Sequence, residues 1–292
     1  MYYTIRNEQI TAVIDSHGAE LCSLSSAKRE YIWQGSEHFW SGHSPLLFPI
    51  IGSVRNDQVQ IGNQTCHLHN HGFLQDQEFI VEEQLPERLV LSTQSTPETL
   101  AKYYPFRFQF LITFTLSAMQ LQISYDIKNL DTVEMSYCFG LHPALNCNME
   151  ASDSFENYYI EFDQPTNITR PYMPDGDDYI DYEHLEVVIP EYRSTFELQH
   201  EHFLQYSLIQ DRAFQYANLC HKKKGPILDF AFTGFDTFTM WQPHYAPFIC
   251  LEPWTGISAI APYSPQLESN KLCQFLAPQH NRNYTLTMTC HI

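Results

Sequence analysis

A two-residue alternation of apolar and mostly polar side chains over residues 106–116 constrains the fold more than any other feature of this chain. The apolar positions are Phe106, Phe108, Phe110, Ile112, Phe114 and Leu116, and mostly polar residues stand between them. Because successive side chains of a strand point to opposite faces, this pattern predicts a β-strand with one buried face. Residues 121–128 repeat the alternation after a short connection, so the two segments predict a β-hairpin.

Shorter runs of β-branched and aromatic residues continue this pattern along the chain. They comprise residues 79–81, 89–92, 158–162, 230–232, 238–241 and 284–288. Helical signals are confined to short pieces at residues 97–103 and 264–272. No linker, internal repeat or low-complexity tract divides the sequence. We therefore predict an all-β protein with a single domain over residues 1–292, built as a large antiparallel β-sandwich.

The charge balance excludes several classes of partner. The 292 residues carry 34 acidic and 16 basic side chains, a formal net charge of −18. Such a surface repels phosphate backbones and anionic lipid, so we expect neither a nucleic-acid nor a membrane partner. The basic run 222–224 precedes Gly-Pro and is expected to be a solvated turn. The eight cysteines form no C-x-x-C pair, and no signal peptide or long apolar segment is recognised, so we expect a soluble cytoplasmic protein with free thiols.

Three short segments each combine an ionisable residue with apolar and turn-forming neighbours. Glu252 closes the apolar run 248–251 and is expected at a strand end, His142 follows the apolar run 137–141, and His71 precedes Gly-Phe. A charge in such a place is costly to bury unless it has a partner or a function. An imidazole in a low-polarity setting can exchange protons near neutral pH. The structural alternatives are a histidine bonded to a backbone carbonyl and a glutamate paired with an arginine.

The type of chemistry follows from the motifs that the sequence lacks. It holds no G-x-S-x-G, no P-loop and no dinucleotide-binding fingerprint. One glutamate with one or two histidines therefore favours cofactor-free proton transfer on a neutral, polar small molecule. Aromatic side chains beside these groups suit a sugar ring, and the candidates are Trp254, Phe73 and either Trp33 or Trp40.

Two further patterns suggest metal ions. His67, His69 and His71 alternate and would share one face of a strand, which could bind a divalent metal. The favoured alternative is that His67 and His69 are exposed polar positions on an edge strand. The acidic stretch 175–181 resembles a calcium loop but lacks EF-hand spacing, so a solvated loop is the better interpretation. We therefore assign no metal ligands.

Six motifs, in order, resemble those of the aldose 1-epimerase (galactose mutarotase) family, in its LacX-like branch. They are residues 18–21 with 31–33, then 45–52, 71–73, 104–106, 142–144 and 252–256. The resemblance covers almost the whole chain. It implies a β-sandwich of the mutarotase type, a sugar-binding cleft across one sheet and no cofactor.

The resemblance also implies roles for individual residues. Glu252 matches the general base that takes the proton of the anomeric hydroxyl, and His142 matches the general acid that protonates the ring oxygen. His71 matches a second histidine that binds sugar hydroxyls and helps to polarise the ring oxygen. We expect Glu252 and His142 to face each other across a pyranose-sized gap. The expected reaction interconverts the α and β anomers of a free hexose in a monomer or homodimer.

The chain departs from the family pattern at two places. Ser53 stands where the family often carries an arginine, with Arg55 as the nearest substitute, and Gln75 follows the His-Gly-Phe motif where an arginine is common. Asp211 is the candidate for the aspartate that grips sugar hydroxyls. These departures leave two alternatives open: a catalytically weak carbohydrate-binding or regulatory protein on the same scaffold, and an enzyme for an unusual or phosphorylated sugar.

Overall fold

The structure, a computed structural model, describes residues 1–150, 153–172, 181–204, 208–211, 215–258 and 264–292, and for 171–172, 181–192 and 208–211 it describes the backbone alone. The first eleven strands are β1 (Tyr2–Arg6), β2 (Ile10–Asp15), β3 (Glu20–Ser26), β4 (Leu46–Leu47), β5 (Gln58–Ile61), β6 (Gln64–His67), β7 (Ile80–Leu85), β8 (Arg88–Gln94), β9 (Phe108–Ser117), β10 (Gln120–Asn129) and β11 (Met135–Tyr137). The next eleven are β12 (Phe139–Leu141), β13 (Ala144–Asn146), β14 (Tyr158–Tyr172), β15 (Asp181–Glu197), β16 (Leu208–Asp211), β17 (Ala217–His221), β18 (Gly225–Thr233), β19 (Thr237–Trp241), β20 (Phe248–Thr255), β21 (Gln274–Leu276) and β22 (Asn281–Cys290).

Helical structure in the described residues is confined to connections. The α-helix α1 (Pro97–Lys102) begins after Thr96, whose side chain accepts a hydrogen bond from the Thr99 backbone, with proline in the first turn. Short 3₁₀ helices span Arg55–Asp57, Leu74–Asp76, Phe155–Asn157, His200–Phe203 and Leu267–Ser269. Both helical pieces expected from the sequence are therefore present. No helix among the described residues is long and apolar enough to cross a membrane.

Most strands join one antiparallel sheet in the hydrogen-bonded order β4-β12-β20-β19-β16-β14-β17-β18-β22-β10-β9-β8-β7, with β13 also on β20 and β15 on β14. The sheet folds over on itself, because β12 contacts strands that are remote in this order. The ring of Phe139 lies 5.8 Å from Phe110 of β9 and 5.0 Å from Tyr284 of β22, measured between centroids. The two parts of the sheet therefore pack face to face, which confirms the predicted β-sandwich.

The alternating segment forms the hairpin that the sequence predicts. Strands β9 and β10 pair in register, with Leu116 opposite Leu121. The apolar side chains of β9 that alternate from Phe108 to Leu116 are all buried in the main core. Complete burial of one such side chain contributes about 1.5–3 kcal/mol, so this face alone fixes the register of the hairpin.

Strand β20 is buried on both faces, and its sequence is therefore a nearly continuous apolar run. Ile249 and Leu251 point into the main core, whereas Phe248 and Cys250 belong to a separate apolar cluster. That cluster is covered by Trp33, Phe39, Trp40 and Trp241. The strand continues to Thr255, so Glu252 lies within it and not at its end, which corrects the expectation from the sequence.

Two minor expectations have different outcomes. The basic run Lys222–Lys224 is an exposed turn between β17 and β18, as expected. The acidic stretch 175–181 lies outside the described residues, apart from the backbone at 181.

Candidate active site

The register of two short strands on β20 brings Glu252 and His142 together. Strand β12 ends at Leu141 and β13 begins at Ala144, and both pair with β20 in one continuous antiparallel register. The interval between the two strands therefore places residue 142 opposite residue 252. Directly opposed side chains of an antiparallel pair share one face of the sheet. Here they touch, with 3.3 Å between His142 Nε2 and Glu252 Oε2.

The pair lies at the bottom of a cavity of about 590 Å³, within the range of about 300–1,000 Å³ common for small-molecule sites. Trp241 and Trp254 line it from the same face of β19 and β20, and Trp40 closes one side. The remaining lining residues are Pro45, Gly52, His69, Asn70, His71, Gln75, Asp76 and Ser258. No lysine or arginine is among the described residues that line this cavity.

The two central side chains are almost fully enclosed, since His142 is 6% exposed and Glu252 is 1% exposed. Burial raises the pKa of Glu252 well above its usual range, with the Trp254 side chain opposing this in part. Burial, and then the neighbouring His71, lowers the pKa of His142 to about 3. Both shifts favour the uncharged groups, so the carboxyl of Glu252 holds its proton beside the neutral imidazole of His142.

This direct contact differs from the arrangement expected from the sequence. We expected the two groups to face each other across a sugar-sized gap, whereas a separation of 3.3 Å leaves no room for a sugar ring between them. Glu252 Oε1 and His142 Nδ1 have no hydrogen-bond partner within the described part of the chain. Both residues line the cavity, so the pair lies there as one unit.

His71 is held by a left-handed turn. Its φ is 66°, and its Nδ1 accepts a hydrogen bond of 3.1 Å from the backbone N–H of Gly52. An Nδ1 that accepts is unprotonated, so the neutral ring carries its proton on Nε2. Burial, and then His69, lowers the pKa of His71 to about 4, which keeps the ring neutral. His71 lines the cavity with its ring centroid 5.5 Å from that of His142.

Gly72 makes this turn sterically feasible. Its φ is 79°, and a Cβ at this position would lie 2.1 Å from the backbone oxygen of Phe48. The same turn reverses the direction of the next side chain, Phe73, which is buried against Phe48, Tyr103 and Tyr104. Phe73 therefore belongs to the core and does not line the cavity, contrary to its expected place beside the substrate.

Of the other three candidate residues, one lines the cavity, one lies elsewhere and one is described by its backbone alone. Trp254 lines the cavity, as the sequence analysis proposed. Arg55 is exposed beside a different, shallow depression that Pro265 also lines, so it is not brought to the cavity. For Asp211 the structure describes only the backbone, which pairs with Thr237, so its role stays untested.

The three alternating histidines do not form a metal site. His69 Nε2 lies 2.7 Å from Asp76 Oδ2, whereas His71 turns its Nδ1 to Gly52, and His67 is exposed at the end of β6. Their ligand atoms do not cluster in the described structure. The left-handed φ of His71 interrupts the alternation on which the metal interpretation depended.

Sequence reasoning missed several cavity residues. Asp76 and Gln75 reach the cavity from the 3₁₀ helix that follows the His-Gly-Phe motif. Trp241 arrives from β19, whose cavity-facing positions alternate with Phe238 and Met240 of the core. Asp76 and Gln75 could have been found because they follow the His-Gly-Phe motif closely, and Trp241 because it lies on the strand next to β20.

Comparison with known proteins agrees with this architecture. The sequence model of the aldose 1-epimerase family matches residues 1–289. The chain belongs to the aldose 1-epimerase family. Protein LacX of Lactococcus lactis subsp. lactis, in a plasmid and a chromosomal form, is 29% identical over 267 residues, 88% of this chain and 89% of LacX.

Solved structures of two related proteins share the fold over the whole chain. A galactose mutarotase related enzyme from Lactobacillus acidophilus has a TM-score of 0.90 at 27% identity, with 100% of this chain and 98% of that chain covered. A galactose mutarotase-like protein from Lactobacillus casei ATCC 334 has a TM-score of 0.91 at 27% identity, with both chains covered completely.

Proposed function

We propose that this protein is an aldose 1-epimerase that interconverts the α and β anomers of a free hexose. The observation that carries the proposal is the contact between Glu252 and His142 at the bottom of a sugar-sized cavity. Family membership supports an isomerase of this class. The absence of lysine and arginine among the described lining residues disfavours a phosphorylated sugar.

The reaction needs one group that accepts a proton and one that donates a proton. Transfer of the carboxyl proton of Glu252 to His142 Nε2, which lies 3.3 Å from Oε2, creates a carboxylate and an imidazolium without changing the net charge of the pair. The carboxylate then removes the proton of the anomeric hydroxyl while the imidazolium protonates the ring oxygen. The C1–O5 bond breaks and a carbonyl forms at C1. Each proton transfer of this kind contributes about 10²–10⁴-fold to the rate.

Ring closure reverses both transfers. After rotation about the C1–C2 bond, the O5 hydroxyl attacks the other face of the aldehyde and returns its proton to His142. Glu252 returns its proton to the oxygen on C1. The pair ends in the state in which it began, which suits a reaction that releases no group and needs no cofactor.

Other cavity residues would orient the sugar. Because His71 Nδ1 already accepts a hydrogen bond from Gly52, its Nε2–H can donate to a sugar hydroxyl or to the ring oxygen. The carboxylate of Asp76 suits sugar hydroxyls that donate, in the role assigned to Asp211 from the sequence. Trp40 and Trp254 offer apolar surface to the carbon-bound hydrogens of the ring.

Polarimetry of freshly dissolved α-D-glucose and α-D-galactose tests the proposal. We expect the wild-type protein to accelerate the change in rotation above the buffer rate. Glu252→Gln and His142→Asn should each lower the enzymatic rate by about 10²-fold or more. Sugar binding without acceleration would overturn the proposal in favour of a carbohydrate-binding protein.

A further inference from the structure

Cys250 adds a third ligand-forming side chain to the Glu252–His142 pair. It precedes Glu252 by two residues on β20, so both side chains point to the same face of the strand. One ligand atom from each of Cys250, His142 and Glu252 lies within 4.8 Å of the others. All three side chains are buried, and the proposed reaction uses only two of them.

The spacing of the pair matches tetrahedral coordination. Ligand nitrogen and oxygen atoms each about 2.0–2.1 Å from zinc, at a tetrahedral angle, are about 3.3–3.4 Å apart. The measured distance between His142 Nε2 and Glu252 Oε2 is 3.3 Å. We propose that Cys250, His142 and Glu252 form a site for Zn²⁺ or another thiophilic divalent cation, which acts as an inhibitor of the sugar site.

The donor set and its surroundings support this assignment. Thiolate, imidazole and carboxylate together favour zinc over magnesium or calcium, which prefer oxygen ligands alone. Glu252 Oε1, the carboxyl oxygen that does not contact His142, is buried without a hydrogen-bond partner among the described residues, although buried polar atoms ordinarily have one. Three protein ligands leave a fourth tetrahedral position open.

The proton balance gives the site a measurable signature. The metal displaces the carboxyl proton of Glu252 and the thiol proton of Cys250, so two protons are released for each Zn²⁺ bound. Because the ligands must be deprotonated to bind, the apparent affinity should increase as the pH rises. The inhibition, but not the binding, rests on the proposed function, because the metal occupies both proton-transfer groups.

Calorimetric titration of the metal-free protein with zinc chloride tests the binding without any sugar. We expect one site, with two protons released per Zn²⁺ when buffers of different ionisation enthalpy are compared. Cadmium chloride should produce a thiolate-to-metal charge-transfer absorption in the ultraviolet. Cys250→Ala should abolish this absorption, reduce proton release to one and weaken binding at least about 10-fold.

Matched variants separate this site from other thiols and imidazoles. Cys220→Ala removes another buried cysteine, from β17, and should leave binding unchanged. His69→Gln removes an exposed imidazole near the cavity and should also bind normally. Wild-type binding that persists unchanged in Cys250→Ala would overturn the proposal, as would absence of the cadmium absorption.

Inhibition of mutarotation by zinc is measured in a separate experiment. Zinc should inhibit wild-type mutarotation and should inhibit Cys250→Ala at least about 10-fold more weakly, each measured relative to the metal-free rate of the same protein. Equal inhibition of both proteins would contradict the site. If the wild-type protein shows no mutarotation at all, the proposed function fails, while the calorimetric and spectroscopic results still decide the metal site.

Discussion

The close approach of Gly72 to the backbone of Phe48 gives a quantitative prediction for Gly72→Ala. An added Cβ would lie 2.1 Å from the Phe48 oxygen, and the φ of 79° disfavours a side chain. Left-handed backbone costs a non-glycine residue about 1–2 kcal/mol, and overpacking against a rigid group costs about 1–3 kcal/mol. We therefore expect Gly72→Ala to lower the free energy of unfolding by about 4 kcal/mol.

Gly225→Ala is the matched control. Gly225 has almost the same φ, 78°, but a Cβ there meets no atom within 4 Å, so the change should cost about 1 kcal/mol of backbone strain only. For 292 residues, an unfolding entropy of about 2.1 cal/mol/K per residue sums to about 0.6 kcal/mol/K. Differential scanning calorimetry should therefore show a Tm lower by about 7 °C for Gly72→Ala and about 2 °C for Gly225→Ala.

The same pair of variants tests whether the turn positions His71. Displacement of Phe48 or residue 72 would move the neighbouring imidazole, and a shift of about 1 Å in a binding group can cost about 10²-fold in rate. We expect kcat/KM for mutarotation to fall to that extent in Gly72→Ala and to stay unchanged in Gly225→Ala. Equal losses of Tm and activity in the two variants would refute the steric argument.

Three further predictions concern the cavity. The pKa of His71 is about 4 in the folded protein and 6.5 ordinarily, so the unfolded state takes up the proton first, and this group alone lowers stability below pH 6.5, by about 2 kcal/mol at pH 5. His142, with a pKa of about 3, adds a loss of its own, so chemical denaturation should show a decrease between pH 7 and pH 5 that is about 2 kcal/mol smaller in His71→Asn than in the wild type. An equal decrease in both proteins would contradict this. Trp40→Ala should admit water beside His142, because the two rings lie 5.0 Å apart between centroids. Burial is the main cause of the low pKa of His142, so the acid limb of the pH profile of kcat/KM should shift to higher pH. An acid limb that does not move would contradict this. Asp76→Asn should raise KM about 10-fold with little change in kcat, because a hydrogen bond to a charged group contributes about 1.5–3 kcal/mol. An unchanged KM for several hexoses would exclude Asp76 from sugar binding.

The fold was predictable because its main signals are local. Alternation along β9 and β10 reports burial on one face, and this pattern survives in the sequence without knowledge of any partner strand. The sequence could not show that β12 folds back over β9, because that packing depends on the path of the whole sheet.

The candidate site was predictable in its residue types but not in its geometry. Glu252 and His142 stand out because each is an ionisable group in an apolar run. Their contact depends on β12 and β13 sharing one register on β20, which is a long-range property. Phe73 was misplaced for a related reason, since the left-handed conformation of His71 reverses the side-chain direction that simple alternation implies.

The most direct test of the central claim compares initial rates of anomer conversion for the wild type, Glu252→Gln, His142→Asn and the double variant. Two groups that exchange one proton act as a unit, so their losses should not multiply. We expect the wild type to exceed the buffer rate and the double variant to be no slower than the slower single variant. A wild-type rate equal to that of buffer, or a double loss equal to the product of the single losses, would contradict the account.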